Sequence, residues 1–217
     1  MIRCILFDMD GVLIDSEPVH FQIWREVFRR HGLEIDFEHY QHCVGSDLNS
    51  LFLMVKEFYG TQFDDEPALI REFRALKEPW FQEKGVPPIP GVQDAVRILY
   101  ERGYRLAVAS SSALAYIEFV TDRLGIRENF DALCTGQAVA HPKPAPDIFL
   151  ATADALGASP EECLVIEDSR NGCVAAQSAG MACWGFRNPS SGDQDLSTAA
   201  WIFEDFPTMV NHLPALH

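Results

Sequence analysis

The chain has 217 residues, 47% of them apolar, and a formal net charge of −15. That length holds one α/β core, or a core of about 150 residues with a small insert, and the apolar share excludes global disorder. So acidic a chain repels nucleic acid and anionic membranes unless basic residues are concentrated, and its longest run of Lys or Arg is the pair Arg29-Arg30.

The first apolar run, Cys4-Ile5-Leu6-Phe7, is cut by Asp8 and Asp10, too early for a secretory apolar region. No stretch reaches the roughly 20 apolar residues of a membrane span. A soluble, cytoplasmic protein is expected, and with no apolar interface stripe a monomer. The six cysteines form no Cys-x-x-Cys pair and sit mostly in apolar runs, where a thiol behaves as a small buried hydrophobe.

From Glu17 to Gly85 the pattern is helical without a convincing strand. Val19, Ile23 and Val27, with Trp24 and Phe28, make one amphipathic face that ends near Gly32. Asp47 is placed to cap a helix over Leu48 to Tyr59, stopped by Gly60. Pro67 opens a third helix towards Lys84, which Pro79 should kink or interrupt. Asp15-Ser16-Glu17-Pro18 and Gly85 to Gly91, rich in Pro and Gly, border the segment like hinges. The expected division is 1–16 with 86–217 as the core and 17–85 as an inserted helical cap.

Beyond the segment, apolar runs alternate with helical patterns. The runs are Leu106 to Ala109, Ala132 to Cys134, Leu164 to Ile166, Ala182 to Trp184 and Trp201 to Phe203. The helices are Val92 to Arg102, Leu114 to Leu124, Pro146 to Leu156 and Gly172 to Ala179. Continuous apolar runs suit strands covered on both faces, so the fold class is α/β, a doubly wound, Rossmann-like parallel sheet.

Four strand candidates end in polar groups: Asp8 and Asp10, Ser110 to Ser112, Thr135-Gly136, and Glu167-Asp168. In an open α/β sheet these carboxyl ends share one crevice. Alternation along an extended chain points Asp8 and Asp10 the same way. A lone Asp-x-Asp reads as a strand-end cap. With Glu167 and Asp168 added, up to four carboxylates meet, an arrangement that asks for a cation, and hard oxygens suit Mg²⁺. Lys143, in a loop stiffened by Pro142, Pro144 and Pro146, is a candidate fixed charge against phosphate. Ser110 and Ser111 are candidate phosphate donors beside a helix start, and equally read as helix caps. His39-x-x-His42 reads as a surface pair, Trp24 as helix packing, and His141 as lining the site or facing solvent.

The string Ile5-Leu6-Phe7-Asp8-Met9-Asp10-Gly11-Val12-Leu13 resembles the first motif of haloacid-dehalogenase-like hydrolases. Ser110 is similar to the second motif, Lys143-Pro144-Ala145-Pro146-Asp147 to the third, and Ile166-Glu167-Asp168-Ser169 to the fourth. The resemblance spans essentially the whole chain and is nearest the β-phosphoglucomutase-like branch, with its sugar-phosphate phosphatases. It implies Asp8 as nucleophile and Asp10 as general acid and base. It implies Mg²⁺ at Asp8, Asp10 and Asp168, with Glu167 bound directly or through water, and phosphate at Ser110, Ser111 and Lys143. The implied substrate is a small phosphorylated metabolite. Glu17, His20, Ser46, Asp47 and Lys77 are candidate specificity residues of the cap. The alternative is a hexose-phosphate mutase of the β-phosphoglucomutase type. A mutase must hold a second phosphate, and the stretch His42 to Asn49 carries no Lys or Arg, which favours a phosphatase.

Overall fold

The computed structural model describes residues 1–43 and 48–216, without the side chains of His42, Leu48 and Glu78. Six strands, β1 (Cys4–Phe7), β2 (Arg105–Ser110), β3 (Ala132–Thr135), β4 (Cys163–Glu167), β5 (Ala182–Phe186) and β6 (Trp201–Phe203), form one sheet in the order β3-β2-β1-β4-β5-β6. Every pairing is parallel. The chain steps outwards from β1 to β3, then returns to the other side of β1 with β4. The order therefore reverses between β1 and β4, and the crevice past their carboxyl ends is where an open sheet of this kind binds its ligand.

The strand side chains alternate between two apolar layers. Ile5, Phe7, Leu106, Val108, Leu164 and Ile166 pack on one face with α5 (Val92–Glu101), α6 (Leu114–Arg123) and α9 (Phe206–Asn211). Leu6, Ala107, Ala109 and Val165 pack on the other with α7 (Asp147–Ala155) and α8 (Arg170–Ser178). Both faces of the central strands are covered, which is why they read as unbroken apolar runs. The edge strands differ from that expectation: β3 is half-buried throughout and β6 partly so, because each has one neighbour only. None of the six cysteines is in a disulfide among the described residues, and all but the half-buried Cys134 are buried.

The segment after β1 is helical, as its periodicity predicts: α1 (Glu17–Arg30), α2 (Phe37–Tyr40), α3 (Leu48–Tyr59) and α4 (Glu66–Lys84). It has its own apolar cluster, with Phe28 and Val55 fully buried and Trp24 stacked on Phe73 at 4.4 Å. Burying side chains of this size stabilises the segment by about 1.5–3 kcal/mol each. Gly60 ends α3 at φ +64°, a conformation that favours glycine. Two details depart from the sequence reading. The short helix α2, capped by Asp36 accepting from the His39 N–H, has no apolar repeat long enough to announce it. And α4 runs unbroken across Pro79. A proline removes one helical N–H, yet the helical pattern continues past it to the Gly85 N–H, which donates to Phe81 O at 3.0 Å. The Asp47 cap lies outside the described residues. The two connections to the sheet run side by side: the Asp15 N–H donates to Pro87 O at 2.9 Å and the Ile89 N–H to Leu13 O at 3.1 Å.

Candidate active site

Strand β1 ends at the reversal point, so Asp8 emerges beside β4, its N–H donating to Ile166 O at 3.0 Å. Lys143 reaches the same place from the proline-stiffened loop before α7. Its Nζ donates to Asp8 Oδ1 at 2.6 Å, to Glu167 Oε1 at 2.8 Å and to Ala109 O at 3.2 Å. Glu167 is almost fully buried, and its Oε2 accepts from the Ser169 N–H and hydroxyl at 2.8 and 2.9 Å. The lysine is thus wedged between two carboxylates drawn from adjacent strands.

Burial strongly shapes the titration of these groups. For Asp8 it is the largest effect; Glu167 and Asp10 add to it, Lys143 offsets it in part, and the pKa is pushed up to about 7. Burial works against the Lys143 ammonium too, but Asp8 and Glu167 outweigh it and raise its pKa. Asp168 is pushed well above the carboxylate range by burial and by the charges of Glu167 and Asp8, while a short hydrogen bond from the Ser191 hydroxyl opposes the rise. Asp10 goes the other way. Burial disfavours its anion, but Lys77, 3.6 Å from Oδ1, and His20, 4.0 Å from it, prevail, with the Ser112 hydroxyl donating to Oδ2 at 2.9 Å.

Asp8 and Asp168 are therefore neighbouring carboxylates whose charges are incompletely offset. Among the described residues no three His, Cys, Asp or Glu side chains converge closely enough to hold a cation alone. A carboxylate pair is nevertheless what Mg²⁺ takes when it keeps waters and binds substrate phosphate oxygens, so this donor set fits that ion. Glu167 fits it less well than the sequence reading has it, since both its oxygens are already engaged by Lys143 and Ser169. Close packing enforces the arrangement. A Cβ on Gly11, at φ +88°, would lie 2.0 Å from Asp168 Oδ2, and one on Gly172 would lie 1.7 Å from Glu167 Oε1.

These groups open into a cavity of about 460 Å³ between the sheet and the helical segment. Asp8, Asp10, Ser110, Ser111, Lys143, Glu167 and Asp168 all line it, so residues far apart in sequence do converge. Ser110 is buried and its Oγ accepts from the Ser112 N–H at 3.1 Å, while Ser111 is exposed. Glu17 and His20 line the opposite wall, with Nδ1 of His20 3.6 Å from Glu17 Oε1. Trp24 lines that wall as well as packing in the helical cluster. The Lys77 ammonium lies between Asp10 and Tyr116, 3.6 Å from Asp10 Oδ1 and 4.5 Å from the Tyr116 ring centroid. His141 faces solvent on Asp147. Ser46 and Asp47 lie outside the described residues. Sequence reasoning missed Ser112 as the Asp10 partner, Ser191 as the Asp168 partner, and Asn171 and Gln194 on the lining. Ser112 stands in the polar run at the end of β2 and was findable there; Ser191 has no local signal.

A doubly wound parallel sheet whose reversal point carries a lysine-bridged carboxylate pair beside two further aspartates sets fixed charges of both signs in the crevice where such a sheet binds its ligand. The chain belongs to the haloacid dehalogenase-like hydrolase family, whose model matches residues 2–180. It is 36% identical over 177 residues to fructose-1-phosphate phosphatase YqaB of Escherichia coli strain K12, covering 82% of this chain and 92% of that protein. It is 32% identical over 183 residues to hexitol phosphatase B of the same strain, covering 83% of this chain and 81% of that one. The crystal structure of a hydrolase of this family from Deinococcus radiodurans, with bound phosphate and sodium, superposes with a TM-score of 0.78 at 27% identity, covering 96% of this chain and 93% of that chain. Among the described residues no helix is long and apolar enough to cross a membrane.

Proposed function

We propose that the chain is a Mg²⁺-dependent phosphatase that hydrolyses a small phosphomonoester, a sugar phosphate, by way of an aspartyl-phosphate on Asp8. The observation that carries this reading is the Lys143 ammonium bonded to both Asp8 and Glu167 at the sheet reversal, with Asp10 and Asp168 on the same cavity. The relatives act on fructose 1-phosphate and hexitol phosphates by their names, and the Deinococcus hydrolase holds phosphate and a cation, which supports the same substrate class here.

A carboxylate oxygen of Asp8 attacks phosphorus, and the bond from phosphorus to the leaving alcohol oxygen breaks. Asp10 delivers the proton that this oxygen takes. Asp10 then accepts a proton from water as the water oxygen attacks phosphorus and the Asp8 ester bond breaks. Asp10 enters the first step carrying the proton it took from water in the preceding turnover; the ion pair with Lys77 makes it a stronger acid there and favours the ionised form left for the second step. Lys143 holds Asp8 in line and, with Ser110, faces the phosphoryl oxygens, where fixed positive charge is most effective as negative charge develops. Asp8, Asp168 and the main-chain carbonyl of Asp10 would hold Mg²⁺, which neutralises charge on the transferring phosphoryl group. The helical segment 17–85 acts as a cap on two antiparallel connections, closing over the substrate to exclude water.

The stretch His42 to Asn49 carries no Lys or Arg to hold a second phosphate, which favours hydrolysis over a hexose-phosphate mutase. The test is phosphate release from a panel of sugar phosphates and other phosphorylated metabolites, with Mg²⁺ or chelator. Release that needs Mg²⁺ supports the reading. Isomerisation of a hexose phosphate primed by a bisphosphate, without release, would replace it by the mutase.

A further inference from the structure

The turn that follows β5 hydrogen-bonds to Gly11, Asp15 and Asp168, although it supplies no group to the chemistry described above. Asn188, Ser190 and Ser191 lie on one 3-10 turn, Pro189–Ser191, capped by Asn188 Oδ1 accepting from the Ser190 N–H at 2.8 Å. Asn188 is buried, and its Nδ2 donates to Gly11 O at 2.9 Å, in the loop that carries Asp8 and Asp10. Ser191, also buried, donates its hydroxyl to Asp168 Oδ2. Ser190 points the other way and donates to Asp15 Oδ2 at 3.0 Å, at the start of the connection into α1. Among the described residues the other Asp15 oxygen is buried with no hydrogen-bond partner, and Ser190 is the side chain that holds that carboxylate. Asp15 in turn donates its N–H to Pro87 O in the return connection.

We propose that Ser190 and Ser191 are positioning residues that act as a pair. One turn aims the Asp168 carboxylate at the cation position and also fixes Asp15 at the root of the helical cap, so the cation site and the cap connection are set by the same few atoms. The physical basis is that a carboxylate oriented by an outer hydrogen bond binds a metal better than one free to rotate, and removing such a partner costs about 10- to 100-fold in metal affinity. Because Ser190 and Ser191 are adjacent in one capped turn, loosening Ser190 from Asp15 loosens the turn under Ser191. The inference rests on the reading of Asp168 as a cation ligand.

The test is a calorimetric Mg²⁺ titration of the intact protein, with kcat and KM for a hydrolysed sugar phosphate, for wild type, Ser191→Ala, Ser190→Ala, Asp15→Ala and the Ser190→Ala/Asp15→Ala double variant. Thermal melting reports whether each folds. Ser191→Ala is expected to weaken Mg²⁺ binding by about 10- to 100-fold. Ser190→Ala and Asp15→Ala, which touch neither cation nor phosphate, are each expected to weaken it severalfold and raise KM. The double variant should lose no more than the worse single one, because both break one bond, and Ser190→Thr, which keeps the hydroxyl, should restore binding. Wild-type Mg²⁺ affinity in Ser190→Ala, or losses that add in the double variant, would overturn the inference while leaving the phosphatase reading intact. Failure of the wild type to bind Mg²⁺ would overturn both. If Ser191→Ala does not fold, the Ser190 and Asp15 cycle decides on its own, since both side chains are only partly buried.

Discussion

Replacing Lys143 by Met keeps the length of the side chain and removes its charge, and the structure sets the size of the effect. The lysine side chain is 9% exposed and its two partners, Asp8 and Glu167, are 11% and 1% exposed. Solvent therefore screens little of the interaction. Breaking a buried ion pair by removing one partner costs about 3–5 kcal/mol, because the charges left behind are buried without compensation. Against a total stability of about 5–15 kcal/mol that is a large share. For a chain of this size, with each kcal/mol worth about 2–4 °C, melting should fall by about 6–20 °C. The deficit should also depend on pH. Without the ammonium, the Asp8 pKa rises further above about 7, while in the unfolded chain it stays near 3.8. A carboxylate raised in the folded state contributes its stability below the unfolded pKa and loses it as pH rises through the folded one. The melting difference between wild type and Lys143→Met should therefore be small near pH 5 and widest at pH 8, with chelator present throughout. Equal melting temperatures at pH 8, or a gap that widens towards acid, would refute the reasoning that this lysine compensates buried charge.

Asp8→Asn should act in the opposite sense on stability while abolishing turnover. Moving the carboxyl from 3.8 to about 7 costs the folded state at most about 4 kcal/mol at pH 8. The variant should therefore melt above wild type at pH 8 in chelator and converge with it near pH 4; a lower melting point at pH 8 would contradict the assigned strain. Lys77→Met removes the closest charge that holds Asp10 low, so the Asp10 carboxyl should titrate at higher pH when followed by carbon NMR in chelator, and an unmoved titration would separate Lys77 from Asp10. Gly11→Ala must place a side chain at φ +88° and 2.0 Å from Asp168 Oδ2. The backbone strain alone costs about 1–3 kcal/mol, so both melting temperature and Mg²⁺ affinity should drop.

The sheet was legible because its central strands are buried on both faces and its switch residues stand at strand ends. Leu6, Val108 and Val165 announce the core, and Asp8, Ser110 and Glu167 mark where it opens. The helical segment was legible from the repeat through Ile23, Trp24 and Val27. Edge exposure was not, since nothing in Ala132 to Cys134 says that β3 has one neighbour. The partners of the acids were less legible still. Ser112 is 102 residues from Asp10, Ser190 is 175 from Asp15, and Asn188 is 177 from Gly11. Such contacts follow from topology and carry no local pattern. Pro79 reads as a kink or an interruption, and the helix is not interrupted there.

The central claim is that the phosphoryl group passes through Asp8. The most direct measurement is rapid-quench mass spectrometry of the wild-type protein turning over its best sugar phosphate with Mg²⁺, followed by peptide mapping. The account predicts a transient phosphoryl group on the peptide that contains Asp8, mapped to that carboxylate and absent from Asp8→Asn. Turnover that releases phosphate with Asp8 never modified at any quench time, or that persists in Asp8→Asn, would contradict it.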